Sequence, residues 1–185
     1  MKCETYILQN KKELADFIRL LNDEKVESYL EIGSKFGGSL WPIANALPKG
    51  SRIVAVDLPH GDKSFKESEP HLLECVQQLR KRGYHASIIL GDSTDPDVIR
   101  QVYELGPFDA VFIDANHTVP YVNADWINYG KICKLIAFHD INPIKVPPHK
   151  KPIEVPIFWN GIKHKYRHVE FKYDVQGNGI GVLWP

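Results

Sequence analysis

The stretch "LEIGSKFGGSLW", residues 30–41, is the most informative part of this chain for its fold class. It runs from a short apolar segment through a glycine-rich turn into the start of a helical pattern. Gly33 and Gly37 allow a tight turn in which the backbone closely approaches a ligand. The turn leads into a helix N-terminus, whose free N–H groups suit an anion, and Ser39 adds a hydroxyl donor. The glycine spacing differs from the G-x-G-x-x-G pattern of dinucleotide-binding proteins, which disfavours a nicotinamide cofactor.

Outside this stretch, apolar and amphipathic segments alternate along the chain. We predict strands at 28–33, 52–58, 86–92, 108–114 and 135–140, and helices at 10–22, 38–47, 69–82, 119–130 and from Asp95-Pro96 onward. Several of the strands are apolar on both faces, which is typical of buried parallel strands. The sequence therefore predicts an α/β fold, a Rossmann-like parallel sheet with helices on both faces.

The pattern changes after Asp140. Residues 141–162 are predicted to form a proline-rich loop or lid insertion with a short helix at its end, where Trp159 could cover a substrate. Residues 166–184 predict two strands joined by a turn at Gly177-Asn178-Gly179, which is a C-terminal antiparallel hairpin. At 185 residues, the whole chain, 1–185, is expected to fold as a single domain.

Composition excludes some classes of partner. Lys plus Arg and Asp plus Glu both number 23, so the net charge is zero, which argues against a mainly electrostatic grip on nucleic acid or membrane. No apolar run is long enough to span a bilayer, and the first residues lack a signal-peptide pattern, so we expect a cytoplasmic protein. The three cysteines, Cys3, Cys75 and Cys133, are too far apart for a zinc motif.

Chemically informative residues follow the predicted strands, one strand after another. In an open parallel sheet, ligands bind beyond the carboxyl ends of the strands, near the point where the strand order reverses. Here those ends carry Asp57-Leu58, Gly91-Asp92-Ser93, Asp114 to His117, and His139-Asp140.

Two of these ends suit a nucleoside. Asp57 follows the glycine turn by about twenty residues, where a carboxylate can accept both hydroxyls of a ribose. Asp92 can accept from the exocyclic amine of adenine, and Ser93 can add a second contact. The alternative interpretation is structural, because Asp57 can cap a loop and "GDSTDPD" is also a good helix-capping sequence.

Four motifs occur in an order typical of one enzyme class. "LEIGSKFGGS", "VAVDL", "GDS" and "FDAVFIDANH" together resemble class I S-adenosylmethionine-dependent methyltransferases. The first is similar to the E-x-G-x-x-x-G-x-S loop of the catechol O-methyltransferase group. "FIDANHTVPYVNADW" and "IAFHD" also resemble a bacterial and phage methyltransferase family that includes macrolide sugar O-methyltransferases. The resemblance covers residues 28–140.

The resemblance implies a set of cofactor-binding residues. Glu31 would stabilise the loop and the amino end of S-adenosylmethionine. The methionine portion would lie against the glycine turn and its serines, the ribose against Asp57, and the adenine between Asp92 and Ser93. Asp114 would lie under the sulfonium. The full set implied is Glu31, Gly33, Ser34, Gly37, Ser39, Asp57, Leu58, Gly91, Asp92, Ser93 and Asp114.

The resemblance also implies a metal site and a base. In the related O-methyltransferases, an acid at the end of the fourth strand and two adjacent oxygen ligands at the end of the fifth hold a divalent ion, and the corresponding residues here are Asp114, His139 and Asp140. His139 stands where the related pattern has an oxygen ligand, so the choice among Mg²⁺, Mn²⁺, Fe²⁺ and no metal stays open. His117 stands three residues after Asp114, where the related enzymes place a general base.

The leading hypothesis is O-methylation of a small molecule, such as a sugar or another polyol, with divalent-metal assistance. The alternatives are a non-catalytic interaction module that keeps the cofactor fold, and a methyltransferase acting on nucleic acid. The chain has "DANH" where amino methylation of DNA bases would need N-P-P-Y or D-P-P-Y, which disfavours the nucleic-acid alternative. Few segments outside the predicted sheet and its helices can cover an acceptor pocket. A second copy of the chain, in a homo-oligomer, is one way to complete it.

Overall fold

The computed structural model describes residues 7–59, 68–147 and 152–185, so Cys3 and residues 148–151 of the proline-rich segment lie outside the described residues. Within these ranges one sheet has the strand order β3-β2-β1-β4-β5-β7-β6. Its strands are β1 (Ser28–Ile32), β2 (Arg52–Asp57), β3 (His85–Leu90), β4 (Phe108–Ile113), β5 (Cys133–Phe138), β6 (Arg167–Phe171) and β7 (Ile180–Trp184). The α-helices in the same ranges are α1 (Lys11–Asp23), α2 (Leu40–Ala46), α3 (Ser68–Lys81), α4 (Pro96–Leu105), α5 (Val119–Tyr129) and α6 (Val155–Ile162).

Strands β1 to β5 are parallel, as their apolar patterns predict. Alternate residues of these strands enter two separate cores, because successive side chains point to opposite faces of a sheet. Tyr29 and Phe112 pack with α1, α2 and α3, whereas Leu30 and Val111 pack with α4, α5 and α6. The predicted helices on both faces are therefore confirmed. Among the described residues, no helix combines the length and apolarity needed to cross a membrane.

The helix starts follow the capping residues of the sequence. The Asn10 side chain accepts from the backbone N–H groups of Lys12 and Glu13, and α1 begins one residue later. Asp95 caps α4 through the N–H of Asp97, with Pro96 in the first turn as predicted.

The C-terminal hairpin is also confirmed. β7 pairs antiparallel with both β5 and β6, and it therefore lies between them. The predicted turn residues Gly177, Asn178 and Gly179 all have positive φ, at 72°, 51° and 86°, and they close the connection from β6 to β7. Glu13 of α1 anchors this connection, because its buried carboxylate accepts from the N–H groups of Tyr173 and Gly179 at 2.9 and 2.8 Å.

The strand order reverses beside β1. The chain passes from β1 outward to β2 and β3, and then returns across the sheet to β4 on the other side of β1. The connections that follow β1 and β4 therefore diverge and leave a crevice at their carboxyl ends. β5 ends at Phe138, two residues earlier than predicted, and Asp140 follows in a left-handed conformation with φ 57°.

Candidate functional site

The glycine turn after β1 is shaped by its contact with β4. Gly33 has φ 91°, and a Cβ at this position would lie 2.3 Å from the carbonyl oxygen of Asp114. The N–H of Gly33 donates to Val56 at 2.9 Å, which ties the turn to β2 as well. Only glycine can adopt this conformation and also fit against the Asp114 backbone, so Gly33 lets the turn after β1 pack directly against the end of β4.

The other glycines of the predicted set have packing roles. A Cβ on Gly37, whose φ is 77°, would lie 2.8 Å from Cys75 Sγ of α3. A Cβ on Gly91 would lie 2.4 Å from Val98 of α4. Both glycines therefore let a helix pack closely at the rim. The sequence had suggested that each glycine contacts the ligand.

Glu31 lies buried below the turn. Its carboxylate accepts from the Tyr29 hydroxyl at 2.7 Å and from the Ser39 hydroxyl at 2.9 Å. Burial raises the pKa of Glu31 to about 7, against the opposing effect of these two hydrogen bonds. The Ser39 hydroxyl is therefore used inside the protein. The Ser34 hydroxyl is buried beside Glu31 and, like the other two hydroxyls, lowers the pKa of that carboxyl.

Asp57 holds the turn from the end of β2. Its carboxylate accepts from the backbone N–H of Lys35 and, at 2.7 Å, from that of Leu58. Burial raises the pKa of Asp57, although both hydrogen bonds act in the opposite direction. The loop-capping interpretation is thus correct, yet a carboxylate has about four acceptor positions, so two remain for a ligand. Leu58 is about half exposed beside it.

The end of β3 lies next to Asp57, since the N–H of Gly91 donates to the Asp57 carbonyl at 2.8 Å. Asp92 is exposed, and one of its carboxylate oxygens accepts from both the N–H and the hydroxyl of Thr94. The Ser93 carbonyl accepts from the Tyr129 hydroxyl at 2.6 Å. Both predicted adenine contacts therefore stand at the rim, with Asp92 also capping its own turn.

A cluster of two acids and two histidines follows β4 and β5. His117 Nε2 lies 3.3 Å from Asp114 Oδ1 and 3.2 Å from Asp140 Oδ2. His139 Nδ1 lies 3.2 Å from Asp114 Oδ1 and 3.5 Å from Asp140 Oδ1. Asp140, whose backbone is left-handed, lies close to both histidines, so the cluster joins residues that follow two neighbouring strands.

Charge pairing dominates the electrostatics of this cluster. Burial alone would raise the pKa of Asp114, but His139 and His117 lower it below its usual range. Burial alone would lower the pKa of His139, but Asp114 and Asp140 raise it to about 10. The pKa of His117 is raised as well, because the same two carboxylates outweigh its burial. At neutral pH, the imidazolium of His139 therefore offsets part of the negative charge of the two acids.

The same cluster has the donors for a divalent ion. Asp114, His117 and Asp140 each offer a ligand atom, and these atoms lie within 4.8 Å of one another. The sequence had placed His139 in this set in place of His117. Two carboxylate oxygens with one imidazole nitrogen suit Mn²⁺ or Fe²⁺ better than Mg²⁺, which prefers oxygen ligands throughout.

Two residues near the cluster carry no signal in the sequence. Gln9, just before α1, donates from Nε2 to Asp114 Oδ2 at 2.7 Å, and its buried Oε1 has no partner among the described residues. Glu154 donates its backbone N–H to the His117 carbonyl at 2.7 Å and accepts from the N–H of Val119 at 2.9 Å. Together these two residues fix the carboxyl end of β4 and the start of α5.

Trp159 does not cover a substrate, contrary to the prediction from the sequence. It is fully buried in α6, and its ring packs against Phe138 and Gly181. Its indole N–H donates to Glu170 of β6 at 2.5 Å. Trp159 therefore joins α6 to the sheet.

The strand order, the glycine turn and the polar rim at the switch point define an α/β domain of the methyltransferase type. The chain belongs to the methyltransferase-domain family, since a family model described as "Methyltransferase domain" matches residues 30–141, more than half of its length.

Solved structures share this fold at low sequence identity. An O-methyltransferase from Bacillus cereus, in complex with SAH, is 15% identical with a TM-score of 0.69, over 95% of this chain and 82% of that one. The O-methyltransferase TomG from Streptomyces achromogenes, which is involved in tomaymycin synthesis and was solved with SAM, is 16% identical with a TM-score of 0.66, over 95% of this chain and 80% of that one. A search of curated proteins finds no significant match.

Proposed function

We propose that this chain transfers a methyl group from S-adenosylmethionine to an oxygen of a small molecule. One observation carries the proposal: Gly33, Asp57, Asp92 and Asp114 leave separate strands and converge on one rim at the switch point. The presence of SAH or SAM in the two compared O-methyltransferases supports the choice of cofactor.

The residues of the rim fit this cofactor. S-adenosylmethionine supplies an electrophilic methyl group on a sulfonium. Gly33 lets the turn pack against the Asp114 backbone, and the buried Ser34 hydroxyl of the same turn is the donor proposed for the methionine portion. The free acceptor positions of Asp57 suit the ribose hydroxyls, and Asp92 suits the adenine amine. Asp114 places a negative charge where the sulfonium is expected.

His117 is proposed as the general base. Its side chain is about one third exposed, so an acceptor hydroxyl can reach Nε2. When neutral His117 takes the hydroxyl proton, the imidazolium that forms is stabilised by Asp114 and Asp140. The chain's remaining contribution is to align the acceptor and exclude water.

Asp114, His117 and Asp140 are proposed to hold a divalent ion when one is present. Such an ion would lower the pKa of a bound hydroxyl. A single Nε2 cannot coordinate an ion and also accept a proton, so the two roles of His117 exclude one another. The base role applies to the ion-free protein.

The predicted lid, residues 141–162, divides into two parts. α6 is anchored in the core by Phe158 and Trp159. The residues before α6 end at Glu154, which is bonded to His117. We propose that residues 141–147 and 152–154 border the acceptor. The chain acts as one domain in this proposal. The acceptor is either small enough for the remaining space or bound in a pocket that a second copy of the chain completes.

The experiment is to incubate the protein with radiolabelled S-adenosylmethionine and a panel of catechols, sugars and other polyols, with Mn²⁺, Mg²⁺ or EDTA. We expect label transfer to at least one class of hydroxyl acceptor, reduced at least tenfold by His117→Ala in the presence of EDTA. A protein that binds the cofactor but labels none of these acceptors would refute small-molecule O-methylation. Absence of cofactor binding would favour the non-catalytic interaction module.

A further inference from the structure

Glu154 stands immediately before α6, but its side chain serves a different helix. A side chain in this position commonly accepts from the first free N–H groups of its own helix, whereas that of Glu154 makes no capping hydrogen bond to α6. Its Oε2 atom instead accepts from the backbone N–H of Val119, the first residue of α5, at 2.9 Å. The Glu154 carboxylate therefore lies at the N-terminus of a helix that begins 35 residues earlier in the chain.

α5 begins without a capping side chain of its own. Thr118, the residue before the helix, makes no side-chain capping hydrogen bond, and its hydroxyl donates to Asn116 Oδ1 at 3.0 Å. The first N–H groups of a helix have no partner within the helix, and a negative charge beside them is favourable. Within the described residues, the carboxylate of Glu154 thus supplies the cap that the start of α5 lacks.

The contacts of Glu154 enclose the main chain of His117. The backbone N–H of Glu154 donates to the His117 carbonyl at 2.7 Å, and its carboxylate binds the N–H of Val119, two residues further on. One residue therefore makes a hydrogen bond on each side of Thr118. Together the two bonds fix the backbone from which the His117 side chain extends.

The proline-rich segment contacts His117 at both of its ends. Asp140 precedes this segment, and its Oδ2 atom lies 3.2 Å from His117 Nε2. Glu154 ends the segment and binds the main chain of the same histidine. Since residues 141–147 and 152–154 are proposed to border the acceptor, Glu154 connects that border to the proposed base.

We propose that Glu154 is a positioning residue for His117, an inference that rests on the proposed function. A general base must lie within hydrogen-bond reach of the proton that it removes, and a displacement of about 1 Å can slow a reaction about 100-fold. Glu154 touches none of the reacting atoms in this proposal, and it acts by holding the His117 backbone. A residue that only caps α5 would contribute to stability and not to the rate of methyl transfer.

The test is a double-variant cycle on methyl transfer in EDTA, with radiolabelled S-adenosylmethionine and the acceptor of the panel that is labelled fastest. Glu154→Ala should lower kcat at least fivefold, whereas KM for S-adenosylmethionine stays within twofold of the wild-type value. In the His117→Ala background the same substitution should cause no further loss, because the group that Glu154 positions is absent. Glu154→Gln keeps an oxygen that can accept from Val119, and it should retain at least half of the wild-type kcat.

Asp95→Ala is the matched control for the loss of a helix cap. Asp95 accepts from the N–H of Asp97 at 2.8 Å at the start of α4, so its replacement should lower the melting temperature and leave kcat at saturating cofactor unchanged. If Glu154→Ala does not fold, Glu154→Asp, whose carboxylate is one methylene further from Val119, enters the same cycle.

Two results overturn the inference alone: an unchanged kcat in the Glu154 variant, or an equal loss of kcat in the wild-type and His117→Ala backgrounds. A wild-type protein that labels no acceptor of the panel overturns the proposed function and this inference with it.

Discussion

The Gln9 side-chain amide donates a 2.7 Å hydrogen bond to Asp114 Oδ2 across 105 residues of sequence. Asp114 Oδ1 faces His117 and His139, so Gln9 fixes the orientation of the carboxylate by holding its other oxygen. The segment before α1 is thereby part of the site. The unpartnered Oε1 of Gln9 offers an acceptor to a bound ligand.

Gln9→Ala should therefore destabilise the protein. A hydrogen bond to a charged group contributes about 1.5–3 kcal/mol, and we expect a loss of this size in the free energy of unfolding. Gln9→Glu should cost more, because it places a second carboxylate against Asp114. Urea denaturation checks both variants, with Gln77→Ala, an exposed glutamine of α3, as the control. Equal stability of Gln9→Ala and Gln77→Ala would show that this hydrogen bond does not contribute to the free energy of unfolding.

Gly33→Ala should be far more harmful than Gly50→Ala. Both glycines have similar positive φ values, 91° and 86°, but a Cβ on Gly50 meets nothing within 4 Å. Gly50→Ala thus isolates the conformational penalty, about 1–2 kcal/mol. Gly33→Ala adds a collision with the Asp114 backbone, which brings its total to at least about 3 kcal/mol. Thermal unfolding of both variants measures the difference, and similar losses would contradict the close approach of the turn to β4.

The raised pKa of Glu31 predicts a dependence of stability on pH. The folded carboxyl titrates at about 7, against 4.5 ordinarily, so the folded chain holds a proton that the unfolded chain releases between these values. The Glu31 carboxyl therefore stabilises the folded protein less and less as pH rises from about 4.5 to 7, and least above pH 7. Burial also raises the pKa of Asp125, on α5, to about 7, so the titration of this carboxyl likewise lowers stability as pH rises.

Glu31→Gln should remove part of this slope. The measurement is the free energy of unfolding from urea titrations at pH 5 and pH 8, compared between the wild-type protein and the variant. Gln cannot titrate, so the difference between the two pH values should shrink. Glu104→Gln, on the exposed face of α4, serves as the control and should keep the wild-type difference. A slope in Glu31→Gln as steep as that of the wild type would contradict the burial of this carboxyl.

Mn²⁺ binding distinguishes the two candidate ligand sets. The grouping of Asp114, His117 and Asp140 predicts that Asp140→Asn and His117→Ala each weaken Mn²⁺ binding at least tenfold, measured by the loss of the free-ion signal in electron paramagnetic resonance. Binding should tighten as pH rises, because the ion displaces protons from the histidine. Loss of binding in His139→Gln with none in His117→Ala would restore the set predicted from the sequence.

The fold could be predicted because burial leaves a periodic record in the sequence. Strands such as 52–57 are apolar on both faces, and capping residues such as Asn10 and Asp95 mark where helices start. The rim could be predicted in outline, since parallel strands bring their carboxyl ends to one edge. The roles of Gly37 and Gly91 could not, because contact with Cys75 and Val98 depends on how closely α3 and α4 approach.

The residues missed by the sequence analysis depend on tertiary contacts. Gln9 meets Asp114 only because α1 lies across the sheet, and a single glutamine has no periodicity to reveal it. Asp125 is an acid in an amphipathic helix, where a charge ordinarily faces solvent. Its burial becomes visible only when the rotation of α5 against the sheet is known. The contact between His117 and Asp140 joins residues that follow two different strands, and the left-handed backbone of Asp140 leaves no pattern in the sequence.

The most direct test of the rim as a cofactor site is calorimetric titration of S-adenosylhomocysteine into three proteins. The wild-type protein should bind one equivalent, Asp57→Ala should bind at least tenfold more weakly, about 1.4 kcal/mol or more, and Asp97→Ala should match the wild type. No binding by the wild-type protein, or equal affinity in Asp57→Ala, would contradict the assignment of this rim as the cofactor site.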